Sequence, residues 1–333
     1  AGVLADWQEL PAGGLAEELS GCQRLRDLDV GGNGLRNGGM QMVAAGIGQC
    51  SRLRSLSVEE NEMWVSGLRH LLVPLQGMSM LEALNLANNN LWQSGAVLLG
   101  ESMHFWPNLR EFDLSGNNIG AEGAVELGRG LCGCVRLASL KLGGNNIGGH
   151  EKRALESVCR VSSLTHLDLH GNWIENDGMQ CVVDTVSACC PGLEVLRLSA
   201  NGVGSAGVQV LAGNTQLMWR LRDLDLSYNE IGDSGADALA DALVSMSVEH
   251  DDAAAATRPT PRHLAGREGS VRAAVSRRSG LERVVVLGIP SEAERVLVSA
   301  GERSGCEVKT RSAPKHPQTD PQAQAQPLLQ AHR

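Results

Sequence analysis

Aromatic residues are scarce in this sequence of 333 residues, which contains 2 Phe, 1 Tyr and 6 Trp. Glycine, by contrast, occurs 40 times, and leucine recurs at short intervals through most of the chain. A solenoid of thin stacked units requires small and aliphatic side chains of this kind, because each unit contacts only its neighbours. The composition therefore favours a repetitive architecture.

Several chemical signatures are absent. No run of 18 apolar residues occurs, so we predict no transmembrane helix and no membrane partner. The glycine-rich stretches lack the ending of a phosphate-binding loop, the cysteines lack the spacing of a metal site, and no nucleophile has a recognisable catalytic context. We therefore predict no cofactor, no bound metal and no enzymatic activity.

An asparagine returns at a nearly constant interval along the chain. Successive members are 28 residues apart, except for one interval of 27 and one of 29. The series is Asn33, Asn61, Asn89, Asn117, Asn145, Asn172, Asn201 and Asn229. Before each asparagine the apolar residues keep the spacing LxxLxL, as in Leu109, Phe112 and Leu114. Chance alternation does not hold its phase over such a length, so we predict a tandem repeat.

Each residue class in the repeat has a physical role, seen best in Leu109–Leu131. Phe112 and Leu114 alternate with polar residues, which predicts a short strand with one buried face. The amide of Asn117 can bond backbone groups left unpaired where the chain turns, so stacked asparagines are expected to form a ladder. The apolar residues that follow have helical spacing. Gly123 precedes them in a column of glycines, which suggests a tight approach of helix to strand.

The pattern LxxLxLxxNxIxxxGAxxLxxxL resembles the ribonuclease-inhibitor-like class of leucine-rich repeats, and the resemblance covers roughly Leu15–Leu243. It implies an α/β solenoid: a right-handed horseshoe of strand and helix, with a parallel concave sheet and convex helices. The class includes ribonuclease inhibitor, the sensor regions of NOD-like receptors and the Ran GTPase-activating protein.

The repeat pattern divides the chain into four parts. We predict a leucine-rich-repeat solenoid over residues 1–247, with a partial first repeat and eight full repeats. Residues 248–280 lack a period and predict a flexible insert. Residues 281–310 are interpreted as a degenerate capping strand–helix–strand unit, with an unrelated unit of that kind or a poorly ordered segment as alternatives. Residues 311–333, rich in proline and glutamine, predict a disordered tail. Because the chain opens inside a repeat at Ala1, we expect a fragment or a processed product.

Charge and cysteine usage restrict the partners. Residues 1–250 carry 16 basic and 29 acidic residues, whereas residues 251–333 carry 13 and 9. An acidic solenoid is a poor nucleic-acid surface, so we predict no nucleic acid and instead a protein partner with a basic patch. An alternative is that the basic C-terminal part folds against the acidic repeats.

Cys22, Cys50, Cys134 and Cys190 share a column with apolar residues, which predicts buried reduced thiols and a cytoplasmic protein. A disulfide between neighbours such as Cys22 and Cys50 is the alternative.

The candidate binding surface is the concave wall, together with the loops that follow its strands. The hypothetical partner-binding residues are Glu59, Trp64, Trp92, Glu111, Asp113, Lys141, His166, Asp168, His170, Trp173, Arg197, Asp223 and Asp225. Asp27 and Asp29 extend the same acidic column.

Two constellations within this set have specific interpretations. His166, Asp168 and His170 alternate along one strand and should point into the groove, as solvated residues, as a pH-sensitive contact patch or, least favoured, as a metal site. Trp64 and Trp92 each follow a repeat asparagine by three residues, so we expect them to stack as neighbours on the loops, with Trp173 on the same rim. Each tryptophan is either a binding contact or packed on the helix start of its own repeat.

The function predicted from these features is a non-catalytic module, a scaffold or sensor, that binds a protein through its concave face and loop rim. The resemblance suggests two alternatives: a GTPase-activating protein for a Ran-like small GTPase, and the ligand-sensing fragment of a NOD-like receptor. The basic tail departs from the acidic tail typical of the Ran activators.

Overall fold

The computed structural model describes residues 14–148, 152–256, 281–289 and 291–312. Ten parallel strands form one sheet in which each strand pairs with the next along the chain, from β1 to β10. The strands are β1 Asp27–Asp29, β2 Ser55–Ser57, β3 Ala83–Asn85, β4 Glu111–Asp113, β5 Ser139–Lys141, β6 His166–Asp168, β7 Val195–Arg197, β8 Asp223–Asp225, β9 Arg283–Ile289 and β10 Glu307–Ser312. The predicted α/β solenoid with a parallel sheet and convex helices is therefore confirmed.

Helices connect the strands and cover the other side of the core. They are α1 Gly14–Ser20, α2 Arg36–Ile47, α3 Val65–Leu75, α4 Trp92–Ser102, α5 Gly120–Leu131, α6 Lys152–Cys159, α7 Glu175–Cys189, α8 Ser205–Gly213, α9 Thr215–Arg220, α10 Asp233–Ala256 and α11 Ser291–Ser304. A 3-10 turn, Met103–Phe105, follows α4. Within the described residues, no helix combines the length and the apolar character needed to cross a membrane.

One continuous apolar core runs between the sheet and the helices. The central residue of each short strand is buried and pairs in register with its equivalents, as Leu84 does with Leu56 and Phe112. Because a single repeat has no second apolar layer, it can bury these residues only between two neighbours. Helices are wider than the strand spacing of ~4.8 Å, so the stack curves with its strands on the inside. The outward side of the sheet is called the concave face below.

The repeat asparagines form the expected ladder. The Nδ2 of Asn61 donates to the carbonyl of Val30 in the preceding repeat (2.9 Å) and to that of Val58 in its own (3.1 Å). Its Oδ1 accepts from the backbone N–H groups of Asn33 (3.3 Å) and Leu35 (3.1 Å). Each buried amide therefore joins neighbouring turns of the solenoid at the point where the strands end.

The glycine column has a different cause from the one predicted. A Cβ at Gly67 would lie 2.8 Å from the Cγ of Met63, four residues earlier, and 2.8 Å from the Oδ1 of Asn37 on the preceding helix. The tight approach is therefore between a helix start, its own entry loop and the neighbouring helix, not between helix and strand.

The C-terminal segment continues the sheet. Arg283, Val284 and Val285 of β9 pair with β8, and β10 pairs with β9. Val284 and Leu297 belong to the same buried core as the repeats.

Helix α10 continues to Ala256, past the predicted solenoid boundary at residue 247. The predicted flexible insert lies outside the described residues from 257 onward, and the predicted disordered tail from 313 onward.

Candidate functional site: the concave face and the loop rim

The first and third residues of each three-residue strand point away from the core, because the central residue is buried. This alternation puts eight of the predicted site residues on the concave face, on strands β4 to β8: Glu111, Asp113, Lys141, His166, Asp168, Arg197, Asp223 and Asp225. Glu59 and His170 lie two residues beyond the ends of β2 and β6 and extend the same face. The face therefore collects residues that are about 28 positions apart in the chain.

Three acidic residues of this face are paired with cations on neighbouring strands. Lys141 Nζ lies 3.1 Å from Asp113 Oδ2, and Arg197 Nη1 lies 3.8 Å from Asp168 Oδ2. The guanidinium of Arg283 on β9 binds the carboxylate of Asp223 on β8. Arg283 was not among the predicted site residues. The spacing of Leu281, Val284 and Val286 carries the signal, since it places residue 283 at an outward strand position.

Asp168 also binds His170, whose ring lies across the preceding repeat. His170 Nδ1 is 2.9 Å from Asp168 Oδ1, and the His170 backbone N–H donates to the same oxygen at 3.0 Å. A Cβ at Gly143 would fall 1.9 Å from the His170 ring, so only glycine leaves room for the imidazole. The side chain of Glu59 occupies the equivalent place over Gly31, where a Cβ would lie 2.8 Å from its Cγ.

The proton affinities of this pair follow from their contact. The hydrogen bond with Asp168 raises the pKa of His170, although burial opposes the charge on the ring. Burial alone would raise the pKa of Asp168, but the bonds with His170 and the nearby Arg197 outweigh it and lower the pKa. His166, the third member of the predicted triplet, bonds Thr165 instead: its Nδ1 is 2.8 Å from Thr165 Oγ1. The described residues contain no group of three or more His, Cys, Asp or Glu placed to hold a metal ion.

Exposed aromatic side chains line the loops that follow the strands, called the loop rim below. Trp64, Trp92 and Trp173 are 50%, 47% and 55% exposed, and Tyr228 is 68% exposed. Every exposed aromatic residue of the described chain lies on this rim. Tyr228 was not among the predicted site residues. Its position directly before the repeat asparagine Asn229 is the sequence feature that places it on the loop rim. The expected stacking of Trp64 on Trp92 is wrong, since the two indoles make no ring contact among the described residues.

The backbone explains why the two indoles separate. Trp92 has φ of +54°, whereas Trp64 has φ of −100°, so equivalent positions leave the loop in different directions. Trp173 also has positive φ, +57°. This left-handed conformation costs a non-glycine residue roughly 1–2 kcal/mol, and the column of Trp92 contains glycine at Gly120 and Gly148.

An asparagine from the preceding repeat fixes the loop that carries Trp64. Asn37 Oδ1 accepts from the backbone N–H groups of Trp64 (2.9 Å) and Gly67 (3.0 Å) at the start of α3. Asn176 does the same for the start of α8. Because the cap is supplied from the neighbouring turn, residue 64 itself does not have to be a capping residue.

The cysteine column is mostly buried, in agreement with the prediction. Cys50, Cys134 and Cys190 are buried, whereas Cys22 is exposed. The three buried members of the column are free thiols. Burial raises the pKa of Cys134 to about 11 and that of Cys190 to about 12, which keeps these thiols protonated and unreactive.

The comparisons with known proteins agree with this geometry. A family model described as Leucine Rich repeat matches residues 21–44, 107–128, 162–183, 189–212 and 221–240. NACHT, LRR and PYD domains-containing protein 14 of Homo sapiens is 34% identical over 87 residues, covering 26% of this chain and 8% of that protein. NACHT, LRR and PYD domains-containing protein 12 of Mus musculus is 34% identical over 92 residues, covering 27% of this chain and 9% of that protein. Tonsoku-like protein of Bos taurus is 40% identical over 93 residues, covering 26% and 6%.

Each match therefore spans less than a tenth of the relative's own length. The solved structure of the leucine-rich repeat-containing protein LegL7 from Legionella pneumophila has a TM-score of 0.45 and 15% identity, over 72% of this chain and 79% of that chain. The matched repeats, the related sequences and the strand–helix register together identify the chain as a leucine-rich-repeat protein of the ribonuclease-inhibitor-like class.

Proposed function

We propose that this chain is a non-catalytic module that binds a protein partner through its concave face and loop rim. The observation that carries the proposal is the position of the exposed aromatics: Trp64, Trp92, Trp173 and Tyr228 all lie on one rim. Tryptophan and tyrosine are enriched at the energetic centres of protein interfaces, because they bury a large area and lose little conformational entropy.

The exposure of two loop-rim indoles gives a second line of support. Trp92 and Trp173 hold a left-handed conformation that favours glycine, and they expose about half of their surface. The same conformation occurs at equivalent positions of other turns, at Arg36 for Trp92 and at Asn146 for Trp173, so it belongs to the repeat loop. We attribute the exposure of the two indoles to the contact that their rings make with a partner. The acidic concave face beside the rim suits a partner with a basic patch.

Site-specific photo-crosslinking tests this assignment. A photo-reactive amino acid is placed at Glu111 or His166 on the concave face, and at Arg129 or Gln209 on the convex helices as matched controls. We expect protein crosslinks from the concave positions, and their loss in a Trp64→Ala/Trp92→Ala background. Equal crosslinking from the convex positions would contradict the proposal.

The similarity to two NACHT, LRR and PYD domains-containing proteins favours a second candidate, the ligand-sensing repeat region of such a receptor. This candidate requires a nucleotide-binding domain upstream of Ala1, which the full-length gene would reveal. The GTPase-activator alternative and the cytoplasmic localisation stay predictions. A single-turnover GTP hydrolysis assay with a small GTPase tests the former.

A further inference from the structure

The concave face is divided electrostatically. From β4 to β9, the carboxylates of Asp113, Asp168 and Asp223 each pair with a cation on the next strand, so this part is largely neutralised within the chain. Asp168 in addition binds His170. A basic partner gains little from carboxylates whose charge is already compensated.

Apart from Asp113, the acidic residues of the concave face from β1 to β4 have no such compensation. Among the described residues, Asp27, Asp29, Glu59 and Glu111 form no ion pair. Asp29 accepts only its own loop's Gly31 N–H (2.9 Å), and Glu59 accepts from the neutral amide of Asn85 (2.7 Å). Their negative charges remain available to a ligand.

Three of these carboxylates, those of Asp29, Glu59 and Glu111, line a depression in the sheet. Three of the four outward residues of β2 and β3 are small, namely Ser55, Ser57 and Ala83, and the strands to either side carry acidic residues. The resulting cavity of about 260 Å³ is lined by these three together with Asp29, Glu59, Asn85, Glu111, Asp113 and Lys141. This volume is below that of a drug-sized ligand site and suits the side chains of an inserted segment. The cavity is called the acidic recess below.

The acidic recess and two tryptophans of the loop rim belong to the same repeats. Strands β2 and β3, which form the floor of the recess, lead directly into the loops that carry Trp64 and Trp92. An indole face attracts a guanidinium through its π system, and a carboxylate binds the same group with two parallel hydrogen bonds. Unpaired carboxylates, a recess of side-chain size and two exposed indoles are thus found on the same two repeats.

We propose that the acidic recess binds an extended, arginine-bearing segment of the partner protein. This inference rests on the proposed function and specifies where and what the module binds. The three strand spacings from β1 to β4 span roughly 14 Å, which an extended chain crosses in about four or five residues. Because side chains of an extended segment alternate, arginines two residues apart would face the recess, as in the pattern Arg-x-Arg-x-Arg.

The test measures the anisotropy of a fluorescein-labelled peptide in which three arginines alternate with serines. The full chain is compared with Glu59→Gln/Glu111→Gln, which removes two charges from the recess without changing shape. The matched control, Asp168→Asn/Asp223→Asn, removes two charges that are compensated within the chain. We expect roughly tenfold weaker binding for the recess variant and a change of less than about twofold for the control.

Two results would overturn the assignment: an unchanged affinity of the recess variant, or equal weakening by both variants, which would indicate attraction to overall charge. A peptide with glutamates in place of arginines should not bind. Far-UV circular dichroism and urea midpoints confirm that the variants fold. If photo-crosslinks arise from His166 while the arginine peptide does not bind, the proposed function stands and only the recess assignment fails.

Discussion

Removing one amide from the asparagine ladder is the perturbation for which the structure gives the clearest magnitude. Asn145 is fully buried. Its Nδ2 donates to three backbone carbonyls at 2.9, 3.0 and 3.3 Å, and its Oδ1 accepts from the N–H groups of Asn117 and Ile119 at 3.0 and 3.4 Å. Asn145→Ala would leave these five backbone groups without that partner. At about 1 kcal/mol for each bond, the free energy of unfolding should fall by about 3–5 kcal/mol.

Asn117 provides an internal comparison, because it is equally buried but makes fewer bonds. Its Nδ2 donates to three carbonyls at 2.9, 3.0 and 3.1 Å, whereas its Oδ1 has no partner in the described structure. Asn117→Ala should therefore cost about 1–2 kcal/mol less than Asn145→Ala, since two accepted bonds are missing from the start. The exposed neighbour Asn146 serves as the control: Asn146→Gly keeps the positive φ and should change stability by less than about 0.5 kcal/mol.

Urea-induced unfolding followed by far-UV circular dichroism measures all three variants, with the slope compared to establish that the same transition is observed. Equal losses for Asn145→Ala and Asn117→Ala would refute the reasoning, because the two positions differ mainly in what Oδ1 accepts. A loss below about 1 kcal/mol for both would show that the ladder bonds do not hold adjacent turns together.

Four further predictions concern the same face and rim. Gly143→Ala should displace the His170 ring and return the pKa of His170 toward its ordinary value, which an NMR titration of the imidazole would detect; an unshifted pKa contradicts the packing argument. Contact with Asp168 raises the pKa of His170 in the folded state. The protonated His170 therefore stabilises the fold fully below the pKa that it has in the unfolded chain, and this stabilisation is lost as pH rises through its folded-state pKa. Urea midpoints at pH values of about 5.5 and 8 should therefore differ less in His170→Gln than in the wild type. Trp92→Gly should stabilise the chain by roughly 1 kcal/mol while weakening partner binding, and destabilisation would show that the indole supports the fold. Asn37→Ala should cost about 1 kcal/mol in urea unfolding, since two N–H groups at the start of α3 lose their acceptor, and an unchanged midpoint would mean that solvent replaces the cap.

The period of about 28 residues was enough to predict the strands, the buried leucines, the asparagine ladder and the face on which Glu111 and Asp168 lie. These features depend on local alternation and on one repeat stacking on the next, so a pattern of residue types encodes them directly. The same LxxLxL spacing, at Leu281 and Val284, predicted a further strand near the C-terminus.

Folding alone decided which charges are neutralised and how the rim is arranged. Arg283 meets Asp223 across 60 positions of sequence, and no pattern within a repeat identifies that partner. The separation of Trp64 from Trp92 depends on a sign of φ that residue type does not specify. The glycine at position 143 is explained only by the ring of His170, which reaches back from the next turn. Side-chain contacts between turns depend on backbone direction and local space, whereas the repeat records only what each turn needs in order to stack.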